Sequence, residues 1–360
     1  MAIALGREQK VTIIDKTLIE IYRTDSKTTR LDLISLSWML NSFGVDLIEI
    51  NREIFRKIGK PPNGLAFLFR INSLEDAELC INHNLNNCAI SQELLAKGEI
   101  LEKLSGYRSN LMVDFNVNRI TDIYRLVKSR LLKHTDNITG IRLVGMGAFI
   151  STEWLKGVQF LKNKTGLNIG ICPENNCFNA SAIALEAVMN GMDCITTTFA
   201  GYGKQKGYAA LEELILSVKL LVNPKIKENL NTLPELARVF MHISGVEIPV
   251  SKPVLGSGIF NYESGIHADG IRKNPYTYEP YDPSEVGLQR KMAIGKHSGK
   301  KSISQKLSEL GLQYESGEME ELLYRVRIKS TELKRGLLDS EIQELYTAFK
   351  GDCNNNAFSY

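Results

Sequence analysis

The feature that most constrains the fold is an alternation, from Val11 to about Gly201, of short β-branched or apolar runs with longer amphipathic stretches. This alternation is typical of repeated βα units and a parallel sheet. The eight predicted strands are Val11–Asp15, Leu47–Ile50, Leu65–Ile71, Cys88–Ile90, Leu111–Phe115, Ile141–Val144, Leu167–Ile171 and Cys194–Thr198. Eight consecutive units predict an α/β fold, the closed TIM (β/α)8 barrel.

The amphipathic stretches end in the residues that are typical of helix C-termini. Apolar residues from Leu33 to Phe43 recur every three or four positions, and Gly44 follows where a left-handed C-terminal cap is expected. The stretch Ala180–Asn190 ends in the same way before Gly191. Helix and strand signals therefore alternate through the predicted barrel.

The pattern changes after Pro234, where a helical stretch gives way to a segment rich in proline and glycine. Helical spacing returns at about Lys300–Leu310 and Glu318–Tyr346, and the polar tail 354–356 is expected to be frayed. We expect a TIM barrel of the catalytic type over 1–245, a linker or subdomain over 246–299 and a small helical C-terminal domain over 300–360.

Composition limits the partners. The 44 basic and 41 acidic side chains nearly cancel, so no overall field would hold a nucleic acid or an anionic membrane, and an anionic ligand would need local charge. No apolar run approaches the length of a membrane span. The six cysteines lack the spacing of a zinc ribbon or a disulfide scaffold, and no signal-peptide pattern opens the chain. We expect a cytoplasmic protein without nucleic-acid or membrane partners.

Three motifs in the C-terminal part suggest a family. They read Gly-Ile-His-Ala-Asp-Gly over 265–270, Tyr-Glu-Pro-Tyr-Asp-Pro over 278–283 and Gly-Lys-His-Ser-Gly over 295–299. In this order they resemble the acyl-CoA-condensing enzymes of the 2-isopropylmalate synthase and homocitrate synthase family, and the length favours the homocitrate synthase type. The resemblance covers residues 11 to about 310. It implies a Claisen-type condensation of acetyl-CoA with a 2-oxo acid, 2-oxoglutarate favoured, to give a 2-hydroxy acid and CoA.

The resemblance implies that His267 and Tyr278 are a catalytic pair on a segment that reaches the barrel mouth of a partner subunit. Imidazole suits removal of a proton from the acetyl methyl group because its proton affinity lies near neutral pH. A lone histidine is more often a hydrogen-bonded loop residue, but His267, Asp269, Gly270, Tyr278 and Gly287 match the family together and in order. A homodimer, or a heteromer with an intact homologue, is therefore expected.

The first-strand motif of the family is altered. The family reads Asp-x-Thr-Leu-Arg-Asp-Gly-Glu-Gln, and this chain reads Asp-Lys-Thr-Leu-Ile-Glu-Ile-Tyr-Arg over 15–23. Ile19 replaces the arginine that, in the family, holds the oxo acid and stabilises the enolate oxygen. Loss of such an oxyanion donor costs roughly 3 kcal/mol at the transition state. Glu20 stands where the family's acid binds a divalent metal.

The seventh-strand motif, His-x-His-Asn-Asp in the family, reads Cys-Pro-Glu-Asn-Asn over 172–176. Thiolates and carboxylates can both bind metal, so Glu20, Cys172 and Glu174 are the candidate ligands for Zn, Mn or Mg. The alternative is a vacated site, which we favour because metal catalysis also needs second-shell partners and open coordination positions. The resemblance further assigns Glu49 and Thr198 to substrate binding.

Two other motifs keep glycines and lose polar groups. The family's Gly-x-Gly-Glu-Arg-x-Gly-Asn retains only its glycines at Gly201, Gly203 and Gly207, and Val144–Gly147 stands in place of Asp-Thr-x-Gly. The backbone is thus expected to persist without the original chemistry.

Two functions remain open at this point, and with them whether the chain is itself an active enzyme. The first is a homocitrate synthase-like acyltransferase with a remodelled site. The second is a catalytically impaired homologue, a possible pseudoenzyme that acts as a non-catalytic or complementing subunit of an intact synthase. A barrel adapted to another small molecule is a third reading.

Overall fold

The structure, a computed structural model, describes residues 11–24, 28–107, 109–128, 138–147, 153–226, 229–263 and 265–357. The chain forms two compact units, Met1–Ile248 and Pro249–Tyr360. The expected division into a barrel, a linker and a C-terminal domain stays a prediction.

The first unit is a closed barrel of eight parallel strands, which confirms the TIM-barrel prediction. Each strand pairs with its sequence neighbour, and β1 closes the barrel on β8, with Thr12 opposite Cys194 and Asp15 opposite Thr197. The strands are β1 Thr12–Asp15, β2 Leu47–Ile50, β3 Phe67–Ile71, β4 Asn87–Ser91, β5 Asn110–Val117, β6 Ile138–Gly145, β7 Asn168–Pro173 and β8 Cys194–Thr197.

Helices follow the strands around the barrel. They are α1 Thr17–Thr24, α2 Arg30–Ser42, α3 Arg52–Ile58, α4 Leu74–His83, α5 Gln92–Leu95, α6 Glu99–Lys103, α7 Ile120–Leu126, α8 Glu153–Thr165, α9 Ala180–Met189, α10 Leu211–Leu221 and α11 Leu233–Ser244. Thr29 and Asp32 form a capping box at the start of α2, and Gly44 follows its end with a φ of 89°. Helix α1 differs from the prediction, which places the first helix at Leu33–Phe43, because α1 lies within the first-strand motif and has no cap signal before it.

The second unit contains α12 Gly265–Lys273, α13 Lys300–Glu309, α14 Met319–Leu333 and α15 Asp339–Ala357, with a parallel pair of two-residue strands, β9 Asn261–Tyr262 and β10 Lys291–Met292. Its core is built from residues of β10, α13, α14 and α15, among them Ile303, Leu322 and Val326.

Two expectations for this unit were wrong. The stretch 318–346 is not one helix, because Lys334 adopts a left-handed conformation (φ 54°) that ends α14. The tail 354–356 is not frayed, since its backbone continues α15 to Ala357. No helix in the described part of the chain combines the length and the apolarity needed to cross a bilayer.

Candidate active site

The interior of the barrel contains a layer of four charges, of which Glu49 and Arg142 are buried and Arg70 and Asp114 are partly buried. Arg142 on β6 donates to Glu49 Oε2 at 2.7 Å and to both carboxylate oxygens of Asp114 at 2.8 Å. Arg70 on β3 donates to Glu49 Oε1 at 2.5 and 2.9 Å and pairs with Asp114 at 2.7 Å. Two cations and two anions therefore neutralise each other across the barrel, where branched apolar residues usually fill the space.

The charges of this layer hold one another in the ionised state. Burial would raise the pKa of Glu49, but Arg142 and Arg70 outweigh it and hold the pKa well below its ordinary value. Burial would likewise lower the pKa of Arg142, whereas Asp114 and Glu49 raise it. Both oxygens of Glu49 are engaged in this way, so the predicted substrate-binding residue is part of a neutral structural layer. Its role toward substrate stays a prediction.

Lys16 places a cation at the barrel mouth. It follows β1 directly, is 8% exposed, and its Nζ lies 3.3 Å from Glu20 Oε1 and 4.0 Å from the centre of the Tyr208 ring. Burial would lower the pKa of Lys16, but the neighbouring groups, Cys172 first and then Glu49, raise it above its usual range. The amine is therefore an ammonium at neutral pH.

One oxygen of Glu20 has three partners, of which Lys16 forms an ion pair with it and the other two are hydrogen-bond donors. Besides Lys16, Arg23 Nη1 donates to Oε1 at 2.9 Å and the Tyr208 hydroxyl donates to it at 3.4 Å. The other oxygen, Oε2, is buried without a hydrogen-bond partner among the described residues. The carboxylate that would bind the family's metal is thus already neutralised by side chains of this chain.

The other two candidate ligands do not complete a metal site with Glu20. Burial raises the pKa of the Cys172 thiol, so the thiolate that binds metals best is disfavoured. Glu174 lies past the end of β7, where its Oε2 accepts a hydrogen bond from Asn176 at 3.0 Å. Within the described ranges, no group of three or more His, Cys, Asp or Glu side chains could hold a metal ion. The donor set and the ammonium of Lys16 do not fit a divalent metal, and the three-residue metal site stays an unsupported prediction.

Ile19 and Thr198 also lie at this end of the barrel. Ile19 is 3% exposed, so an aliphatic side chain is packed where the family has its arginine. Thr198 follows β8, and its buried hydroxyl has no partner among the described residues, which leaves it able to bind a ligand. The role of Thr198 in substrate binding stays a prediction.

The glycines after β8 are explained by close approach. A Cβ at Gly207, which has a φ of 75°, would lie 1.9 Å from the carbonyl oxygen of Gly201, and one at Gly203 would lie 2.5 Å from the Tyr208 ring. The loop also fixes the end of β7, since Asn175 N–H donates to Gly207 O at 2.9 Å. The three glycines therefore allow the tight loop that precedes Tyr208, whose ring lies next to Lys16.

Asp15, at the end of β1, gives a pH-dependent prediction. Burial raises the pKa of Asp15 to about 7, although Thr17, whose N–H donates to it at 2.8 Å, and Thr197 partly oppose this. The folded pKa of Asp15 exceeds its unfolded value. The contribution of Asp15 to the free energy of unfolding is therefore fully present below about pH 4 and is lost as the pH rises to about 7. The free energy of unfolding of wild type minus that of Asp15→Asn should fall by about 2–4 kcal/mol across this window. Urea unfolding at several pH values measures it, and a difference independent of pH would contradict the assignment.

In the second unit, the structure brings the predicted catalytic pair together. His267 lies on α12, and its ring centre is 4.7 Å from that of Tyr278, which is 46% exposed. Gly270 makes room for this pair, because a Cβ there would lie 2.5 Å from the Tyr278 ring. His267 is itself exposed, so both rings are accessible to a ligand or a partner chain.

An arginine fixes the chain that carries Tyr278. Arg290 makes a bidentate contact with the buried Glu279, at 2.7–3.0 Å, and also donates to Asp282 at 2.9 Å. Hydrogen bonds from Ser284, and then the contact with Arg290, lower the pKa of Asp282 to about 2. The segment that follows α12 is thus held by charge-assisted hydrogen bonds on both sides of Tyr281.

Lys16, Arg70, Asp114 and Arg142 were missed as site residues. For the last three the signal was present, since each is a charged residue inside an apolar run that was predicted to be a strand. Lys16 lies between the motif residues Asp15 and Thr17, and this place was its signal, although the family motif specifies no residue type there.

Comparison with known proteins supports the family resemblance found in the sequence motifs. Residues 254–350 match the family model described as "Homocitrate synthase post-HMGL domain-like". The chain is similar to the homocitrate synthase omega subunit of Clostridium pasteurianum, with 34% identity over 97% of this chain and 98% of that protein. It is also 37% identical to the homocitrate synthase AksA of Methanopyrus kandleri, over 56% of this chain and only 50% of the relative.

Solved structures confirm the fold. The chain resembles a hydroxymethylglutaryl-CoA lyase from Pseudomonas aeruginosa, with a TM-score of 0.55 and 12% identity over 66% of this chain and 94% of the other. At this identity the likeness supports the barrel alone. Together with the match along almost the whole omega subunit, the motifs establish that the chain belongs to the 2-isopropylmalate synthase and homocitrate synthase family.

Proposed function

We propose that this chain is a subunit of a homocitrate synthase-type acyltransferase that supplies His267 and Tyr278 to a site completed by a catalytic homologue. In this proposal its own barrel mouth binds no catalytic metal. The observation that carries it is the ammonium of Lys16, 3.3 Å from Glu20, at the place where the family's acid binds a divalent cation.

The reaction would join acetyl-CoA to a 2-oxo acid, with 2-oxoglutarate favoured. His267 would remove a proton from the acetyl methyl group, whose carbon attacks the carbonyl carbon of the oxo acid. One carbon–carbon bond forms as the C=O π bond breaks, and the resulting alkoxide takes up a proton to become the hydroxyl group. Water then cleaves the thioester and releases CoA, which leaves homocitrate. The Tyr278 hydroxyl, beside His267, would donate to the oxygen on which charge develops.

A heteromer is supported by what is retained and what is lost. The pair His267 and Tyr278 is present, whereas Ile19, Cys172 and Glu174 replace the arginine and the two histidines of the barrel motifs. The similar protein from Clostridium pasteurianum is named a subunit, which also favours an assembly for this chain.

The described cysteines are free thiols, in keeping with a reducing compartment, the cytoplasm.

A second candidate is an acyltransferase that works as a homodimer with a remodelled site. It is favoured by two buried polar atoms at the barrel mouth, Glu20 Oε2 and Thr198 Oγ1, that have no partner among the described residues. Such atoms are available to a ligand.

A complementation experiment tests the first candidate. The chain is mixed with a catalytic homocitrate synthase whose own histidine of the same motif has been replaced by alanine, and thiol release from acetyl-CoA is followed with and without 2-oxoglutarate. We expect no activity from either protein alone, oxo-acid-dependent release from the mixture, and a complex on size-exclusion chromatography.

The His267→Ala variant should abolish the restored activity. His242→Ala, a matched change of an exposed histidine on α11, should leave it unchanged. Absence of a complex would refute the subunit proposal, and turnover by this chain alone would replace it with the second candidate.

A further inference from the structure

The second unit contains an open cavity of about 940 Å³ next to the start of α13. Its lining includes Asp269 and Arg272 of α12, His297, and the first three residues of α13, namely Lys300, Lys301 and Ser302. His267 and Tyr278 do not line this cavity, although residues of the same helix α12 do.

The start of α13 has an unusual arrangement of charge. The positive end of a helix dipole favours acidic residues, but α13 has no acid in its first turn and begins with two lysines. Its N-cap, Gly299, offers no side-chain acceptor, and the N–H groups of residues 300–302 meet no acceptor in the described structure. Cations and unsatisfied donors are thus concentrated at one point.

The cavity lies open in front of these donors. A Cβ built at Gly299 would meet no atom within 4 Å. Ser302 is 1% exposed and lines the cavity, and its buried hydroxyl has no hydrogen-bond partner among the described residues. A buried hydroxyl without a partner is costly, and an anion at the helix start would satisfy it together with the N–H groups.

The charges around the cavity favour an anion. Asp269 is the acid of the lining, and it is already paired with Arg272 at 2.8 Å and Lys273 at 2.6 Å. Lys300 pairs with Glu320 at 2.5 Å, whereas Lys301 has no ion pair in the described part of the unit. Lys301 is therefore free to approach a bound anion.

From these observations we propose that the start of α13 is a binding site for a phosphate group, held by the N–H groups of residues 300–302, the hydroxyl of Ser302 and the ammonium of Lys301. The cavity has room for a phosphate carried by a small organic molecule as well as for the free ion.

Titration calorimetry of the full-length protein in phosphate-free buffer tests the site, with inorganic phosphate in one arm and adenosine monophosphate in the other. One site per chain is expected in wild type. Ser302→Ala should bind about fivefold more weakly because one hydrogen bond is lost. Gly299→Asp should bind at least about tenfold more weakly, because its carboxylate would occupy the helix start and repel the ligand. Lys301→Gln should also weaken binding, whereas the control Lys329→Gln, an exposed lysine of α14, should not.

Stability separates a binding role from a structural one. Without phosphate, Ser302→Ala and Gly299→Asp should melt at or above the wild-type temperature, since one removes an unpaired hydroxyl and the other adds an N-cap. Tighter binding of adenosine monophosphate would identify an organic carrier, and equal binding would identify phosphate itself. Absence of saturable binding of both, or unchanged binding by Gly299→Asp, would overturn the proposal whatever the outcome of the complementation experiment.

Discussion

Replacing Arg142 by leucine should lower the free energy of unfolding by about 3–5 kcal/mol. Arg142 is 1% exposed and makes contacts of 2.7–2.8 Å with Glu49 and Asp114. Its removal leaves the buried carboxylate of Glu49 and the partly buried carboxylate of Asp114 with Arg70 as their remaining close cation in the layer. Breaking a buried pair by removing one partner is costly because the remaining charge is poorly compensated. Urea unfolding followed by circular dichroism measures the change.

The matched control is Arg125→Leu. Arg125 also forms an ion pair, with Asp122 at 3.3 Å, but its side chain is 70% exposed. Its replacement should change the free energy of unfolding by less than about 1 kcal/mol. Equal losses in the two variants would show that the interior layer does not contribute as we describe.

Restoring the family's arginine should not restore activity. Ile19→Arg places a longer, charged side chain where Ile19 is 3% exposed, so we expect a loss of about 3 kcal/mol or more in the free energy of unfolding. The variant should also release no CoA from acetyl-CoA with any 2-oxo acid, because Cys172 and Glu174 still stand in place of the histidines and Lys16 remains beside Glu20.

Unfolding and CoA release are both measured on this variant. Ile19→Met, which nearly conserves volume, is the control and should cost less than about 1.5 kcal/mol. Turnover in the single Ile19→Arg variant would show that the missing guanidinium is the main defect of the barrel.

The fold could be predicted from the sequence because its strands are buried on both faces. Such strands read as continuous apolar runs, and β2 was placed with its observed bounds, Leu47–Ile50. Ends were less certain where polar residues extend a strand, as in β6, which begins at Ile138 rather than Ile141. Helix α14 ends at Lys334, which takes the left-handed position without being a glycine, and Gly336 in the break before α15 is a helix-breaking signal that the prediction of one helix passed over.

The site could be predicted only in part. The pairing of His267 with Tyr278 was implied by the resemblance to the family. The charged interior layer depends on which residues of different strands face each other inside the closed barrel, and the pattern of a single strand does not show this. Glu20 was recognised from the motif. Its neutralisation by Lys16 and Arg23 depends on α1 starting directly after β1, since these partners are four and three residues away along the helix.

The measurement that tests the central claim most directly is a titration of the metal-free chain with Mn²⁺, with the free ion followed by electron paramagnetic resonance. If the Lys16 ammonium occupies the place of the family's metal, the free-ion signal should grow in proportion to the Mn²⁺ added, as it does in buffer. Uptake of one Mn²⁺ per chain in the micromolar range, lost in Glu20→Gln, would contradict the account.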